Sequence, residues 1–199
     1  MGRSRSGGRA GGRRPAAPRS PSPPDDASAP GERAAATPSL ASATLPRVWQ
    51  GVGYRPLADA ESARALFDFA AIPWPERAAF AWGAWMADAG GERLVGAVAA
   101  ERHATTAMLH GPVVVTADGP DVPLEVAGQL LAAALDHATA LGAVTLYARP
   151  QGLDRVWVRF GFIPVPEVAL PAALAGRPGA GLYAWRGGSA LWTLREAAS

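Results

Sequence analysis

The chain has 199 residues, 49% of them apolar, which suffices for one domain of ordinary size with its own core. All 19 basic residues are arginine, and the absence of cysteine excludes disulfides, thiolate metal ligands and a cysteine nucleophile, a composition compatible with a reducing compartment. The charge is unevenly divided: residues 1–44 hold seven Arg against three acids, and residues 45–199 twelve against fourteen, so the basic character belongs to the first segment alone.

From Met1 to about Thr44 the sequence is Gly, Arg, Ser, Pro and Ala, with almost nothing that can offset its ordering entropy, and a disordered tail is expected there. Its arginines are irregularly spaced with no interleaved aromatic, so nucleic-acid binding is not expected of it. The first residues lack an apolar h-region, and no later run reaches the roughly 18 uncharged apolar residues of a membrane span. A cytoplasmic domain over residues 45–199 is the expectation.

Order should begin near Leu45. Gly53 to Leu57 reads as a strand, and Asp59 caps a helical run through Ala63, Leu66, Phe67 and Ala70 that ends before Pro73. The stretch "PWPERAAFAWGAW" suits a short helix or a loop over a cleft. A hairpin follows, Ala84 to Asp88 and Arg93 to Arg102 around "AGGE", then a third strand from Ala107 to Val115. Pro123 stands where the first turn of a helix tolerates a residue without N–H, and Val126, Leu130, Leu131, Ala134, Leu135 and Ala138 trace an apolar stripe to the stop at Gly142. "AVTLYA" reads as a buried strand, "GLDRVWVRF" as a short helix and "GFIPV" as a strand. The segments "GLYAWR" and "ALWTL" read as a last strand pair around "GGS", with aromatics that could join a homodimer interface.

This order, with "PVVV" before the long helix, Leu141-Gly142-Ala143 at its end and Arg159-Phe160-Gly161-Phe162 after the last helix, resembles the GNAT acyl-CoA N-acyltransferase superfamily over roughly residues 53–166. The resemblance implies an α/β fold with a mixed, mostly antiparallel central sheet of six to seven strands flanked by helices. It also implies acetyl-CoA, or another acyl-CoA, as cosubstrate and acyl transfer to an amine of a small molecule or protein. In such a fold the backbone of Val113, Val114 and Val115 would pair with the pantetheine arm. The pyrophosphate would lie at the helix start, where alignment back from Leu141-Gly142 brings Val126, Ala127, Gly128 and Gln129.

The sequence departs from the family pattern at this loop. Val122 and Glu125 stand where a basic or amide residue and a glycine are usual, Pro123 removes a donor, and Glu125 adds a negative charge; a shifted loop using Gly119 is the other alignment. Trp157 occupies the position of the family's tyrosine acid, and an indole N–H is not a usable acid near neutral pH. His110 lies close to the family's base position, and an imidazole can take a proton near neutral pH. It is expected on the strand face of Pro112 and Val114, either as the base or as a hydrogen-bonded structural histidine. Glu101 is the second catalytic candidate, expected with His103 to face solvent. His137 is expected on the surface, and three scattered histidines give no metal site. Trp74, Trp82 and Trp85 can line an acceptor cleft or pack in the core. Arg149, Arg155 and Arg159 can meet a phosphate or solvate a helix. The altered loop and the missing acid leave a second class open beside the enzyme: a GNAT-like ligand-binding or interaction module without catalysis.

Overall fold

The first described segment holds a helical turn before residue 45, where order was expected to begin. In the computed structural model, which describes residues 37–116 and 121–187, Ser39 accepts a hydrogen bond from the Ser42 N–H and caps a one-turn helix, α1 (Leu40–Ala43), whose Ala43 is buried. A hairpin follows: β1 (Arg47–Trp49) and β2 (Val52–Pro56) are antiparallel and joined by Gln50 and Gly51, both at positive φ, the backbone of a two-residue hairpin turn. Gln-Gly lacks the usual Asn-Gly signature, which is why β1 was not expected.

Asp59 caps the next segment through the Glu61 N–H, but the run opens as a 3-10 turn (Ala60–Ala63) before α2 (Arg64–Phe69). The Pro-punctuated stretch after it is a loop through Ala79, not a helix, and the strand starts earlier than expected: β3 (Phe80–Asp88) pairs with β4 (Gly91–His103) over its whole length. β5 (Thr106–Val114) completes the meander. The long helix α3 (Val122–Ala140) carries Pro123 in its first turn. It ends in a Schellman arrangement, with Gly142 at φ 86° and the Ala143 N–H donating to Ala138 O at 2.9 Å. β6 (Thr145–Ala148), α4 (Asp154–Arg159), β7 (Ile163–Val165) and β8 (Leu182–Trp185) complete the described chain.

The eight strands form one sheet in the order β1-β2-β3-β4-β5-β6-β8-β7, antiparallel throughout except for the parallel pair β5 and β6. Eight strands exceed the six to seven expected, by the β1 hairpin partner. β8 lies between β6 and β7; the expected partner strand at "ALWTL" falls outside the described residues. α3 buries Leu130, Leu131, Ala134 and Ala138 against Trp82, Val98, Ala100 and Leu109 on one face of the sheet. The other face carries Ala81, Ala97, Ala99 and Val113, covered by Ala63 of the 3-10 turn, Phe67 and partly buried Leu66 of α2, and partly buried Leu57, Ile72 and Trp74 of the flanking loops. The sheet therefore has a closed face and a thinly covered one, and the second holds the polar chemistry.

Among the described residues no helix is long and apolar enough to cross a membrane.

Candidate active site

Pairing of β5 on its two edges is unequal. Toward β4 it runs the length of the strand, but from Ala97↔Val113 to Ala99↔His110 three steps on β5 answer two on β4, which is a bulge at Gly111 and Pro112. Gly111 has φ 87°, and a Cβ there would stand 3.0 Å from Val113 N and 3.1 Å from Ala97 O, so glycine is required. Toward β6 the ladder ends at Leu109↔Ala148, while β5 continues to Val114. Because β6 ends at Ala148, the edge of β5 beyond Leu109 is left without a ladder partner on this side, a fork whose crotch is at Leu109 and His110.

The bulge resets the alternation of side chains. His110 shares its face with Val113 instead of with Val114 as a regular strand would have it; Val114 packs toward the main core. Backbone direction follows the same logic. The Val115 N–H donates to Val95 O at 2.7 Å, so its donor is committed to β4, and by strand alternation the polar groups of Val114 point toward the fork. Of Val113, Val114 and Val115, Val114 is the residue with backbone groups directed at a ligand in the fork.

At the crotch stands a buried ionic cluster. Glu101, 4% exposed, is taken by Arg177 from the turn before β8: the Arg177 Nε donates to Oε1 at 3.0 Å and to Oε2 at 3.1 Å, and Nη2 donates to Oε2. His110 Nε2 lies 3.3 Å from Glu101 Oε1, in ion-pair range but off the line of a hydrogen bond, and has no hydrogen-bond partner. Burial alone would raise the Glu101 carboxyl; the adjoining His110 and Arg177 overcome this and hold it down at about 2. Glu101 was expected to face solvent. It is buried because its side of β4 is roofed by the segment carrying Leu174 and Arg177, a contact 76 residues away in sequence. Arg177 was not singled out, since its Gly- and Pro-rich surroundings read only as a turn.

Two hollows adjoin the cluster. A small one of ≈ 10 Å³, between His110, Gly111, Arg149, Gln151, Arg177 and Pro178, lies in the fork itself. A larger one of ≈ 330 Å³ opens on the far side of Arg177, between the loop after α2, the end of β4 and the turn that ends at Arg177. Arg149 beside the fork is held by Glu167, with Nη1 and Nη2 each donating at 2.6 Å, which raises the guanidinium further above its ordinary range.

The other expected residues fall in different places. Trp82 is fully buried under α3, where its Nε1 donates to His137 Nδ1 at 3.1 Å, so it lines no acceptor cleft. His137, expected on the surface, is buried against Phe80 with ring centroids 4.1 Å apart, and burial pushes its pKa below the ordinary 6.5. Its place mid-helix beside Asp136 concealed that it sits on the inward face. Trp74 packs edge-on against Phe67 at 5.0 Å and donates to Glu61 Oε1 at 2.8 Å, partly buried on the site's face of the sheet. Trp157 is buried edge-on to Phe162 with Nε1 unpartnered.

The helix start differs from the alignment. Val126 and Ala127 bury their side chains in the core, and with α3 beginning at Val122 the N–H groups of Val126, Ala127, Gly128 and Gln129 lie beyond the first turn and belong to intrahelical bonds. The Glu125 N–H donates to Asp121 O at 3.1 Å, leaving Val122 and Leu124 as the first-turn donors without an intrahelical acceptor. Glu125, hydrogen-bonded by Gln129 Nε2 at 3.2 Å, keeps a carboxylate at this end. Gly119 lies outside the described residues. Among the described residues no group of His, Asp and Glu can hold a metal ion.

No protein-family model matches the chain, and no curated protein matches it in sequence. Solved structures do. An acetyltransferase from Streptococcus agalactiae superposes with TM-score 0.51 at 16% identity, covering 69% of this chain and 99% of its own. An N-acetylglutamate synthase from Neisseria gonorrhoeae, complexed with coenzyme A and N-acetyl-glutamate, superposes with TM-score 0.51 at 17% identity over 72% of this chain. The match spans 36% of that enzyme's length. An acetyltransferase of the GNAT family from Staphylococcus aureus matches with TM-score 0.44 at 15% identity, covering 54% of this chain and 66% of its own. The chain has the GNAT-like fold.

Proposed function

We propose that the protein is a divergent GNAT N-acyltransferase that moves an acetyl group from acetyl-CoA to an amine. The observation that carries the reading is the fork between β5 and β6 with a carboxylate–imidazole pair at its crotch. A thioester laid along β5, with the groups of Val114 pairing to its pantetheine arm, would bring its carbonyl to Leu109, His110 and Gly111. Coenzyme A in one of the superposed enzymes supports a cosubstrate of this kind.

The cluster suits the proton transfer that such a reaction requires. Glu101, ionised at neutral pH, can only accept, so it favours a proton on the Nε2 that faces it and leaves Nδ1 of His110 with a lone pair. Nδ1 takes a proton from the acceptor's ammonium; the freed amine attacks the thioester carbon, the N–C bond forms, the nitrogen gives its second proton to solvent, the C–S bond breaks and the thiolate leaves, to be protonated to the thiol. Trp157 does not supply that last proton, so solvent does. Glu101 is a positioning residue held by Arg177, and His110 the catalytic one.

The test is thiol release with a panel of amines. His110→Ala is expected to lower kcat about 10²-fold or more while leaving acetyl-CoA affinity unchanged. Glu101→Gln should lower kcat by a smaller factor with the same unchanged affinity. Equal turnover in the wild type and His110→Ala would remove His110 from the reaction.

A further inference from the structure

Behind the fork, the ≈ 330 Å³ cavity is at the lower end of volumes that hold small molecules, and its charge is distinctive. It is lined by Glu76, Arg77, Glu101, Arg102, His103 and Arg177 with the small apolar floor of Ala173 and Leu174. Glu101 and Arg177 satisfy each other at its inner end, and the charge of Glu76 acts on Arg177 as well. Among the described residues, the side chains of Arg77, Arg102 and His103 make no hydrogen bond or ion pair, although the His103 carbonyl accepts from Thr106 Oγ1. Three guanidinium groups face two carboxylates, and both carboxylates act on the same arginine. The outer wall therefore carries more cationic than anionic side chains around an open hollow.

The hollow is also in the right place. Arg177 is the wall it shares with the ≈ 10 Å³ space beside His110, so a molecule seated in it has one end at Glu101 and Arg177, next to the imidazole, and the other at Arg77, Arg102 and His103. A carboxylate is favoured at the guanidinium end, where arginine forks match it in geometry as well as charge.

We infer that the cavity behind Arg177 is the acceptor site and that it selects small amines which also carry a carboxylate, with Arg77 and Arg102 as the determinants of that selectivity. The inference rests on the acyl-transfer reading for its placement of the reacting amine, but the carboxylate selectivity is a binding property and is measured without turnover.

Calorimetric titration of the full chain, with and without coenzyme A, would use the common α-amino acids and straight-chain ω-amino acids, each beside its own carboxamide. At least one acid is expected to bind tenfold or more tightly than its amide. Arg102→Gln and Arg77→Gln should each weaken that acid about tenfold, while Arg55→Gln, on another edge of the sheet, should retain it. Acids and amides binding alike, neither binding, or acid binding indifferent to both Arg102→Gln and Arg77→Gln would overturn the inference. Acetyl-CoA binding is followed separately: its absence alongside intact acid selectivity would sink the transfer reading and leave the carboxylate site standing.

Discussion

The two faces of β4 and β5 are built from alternate residues of the same strands and behave in opposite ways. Val98, Ala100 and Leu109 point under α3 and are sealed by 19 residues of continuous helix. Ala99, Glu101 and His110 point the other way and are roofed by a six-residue helix, a loop and a turn. Continuous helical cover gives close packing. Piecemeal cover leaves hollows, and in them an ionic cluster that close packing would not tolerate.

The contrast breaks most visibly through the sealed face. Leu130→Ala, which empties the centre of the α3 interface, is expected to cost about 3–4 kcal/mol, read as a lower urea midpoint at unchanged slope. On the thin face, Arg177→Ala leaves the Glu101 carboxylate buried without its cation and should cost about 3 kcal/mol at neutral pH. That cost depends on pH. Glu101 ionises at about 2 in the folded chain against 4.5 in the unfolded, so its stabilisation is complete above 4.5 and is lost as pH falls from there toward 2. Wild-type stability should therefore fall through that window more steeply than that of Arg177→Ala, measured as urea midpoints across pH.

His137 provides a third, smaller probe, back on the sealed face. Its depressed pKa means that the unfolded chain binds the proton first, so stability present above 6.5 declines as pH drops below it. His137→Phe should flatten this limb and cost about 1–2 kcal/mol, because the Trp82 Nε1 loses its acceptor. The smallest effect is reserved for the surface: Arg55 stacks over Trp85 at 4.4 Å and pairs with exposed Glu92, and Arg55→Ala should cost less than about 1 kcal/mol, seen as a small shift of Tm.

How far the sequence could be read follows the same division. The stripe of α3, its proline start and glycine stop, and the alternation along β4 are local signals, and they carried the sealed face and the order of elements. Trp82 and His137 were misplaced because an aromatic strand and a polar helix position do not reveal which side faces inward. On the thin face, the strand carrying His110 was legible from "GPVVV", but the bulge at Gly111 and Pro112 that turns His110 toward Val113's side was not. Glu101 and Arg177 meet across 76 residues, through a turn whose glycines and prolines carry no periodicity. The helix start was misaligned for a related reason: counting back from Gly142 fixes the end of α3, but places Val126, Ala127 and Gly128 inside the helix, where their N–H groups are already used.

The central claim is that the fork between β5 and β6 receives an acyl-CoA despite Pro123 and Glu125 at the helix start. Calorimetric titration of the full chain with acetyl-CoA, in the absence of any amine, tests it most directly. Binding in the micromolar range, undiminished in His110→Ala, is the predicted result; no heat of binding up to millimolar acetyl-CoA would contradict it and assign the fork to a different ligand.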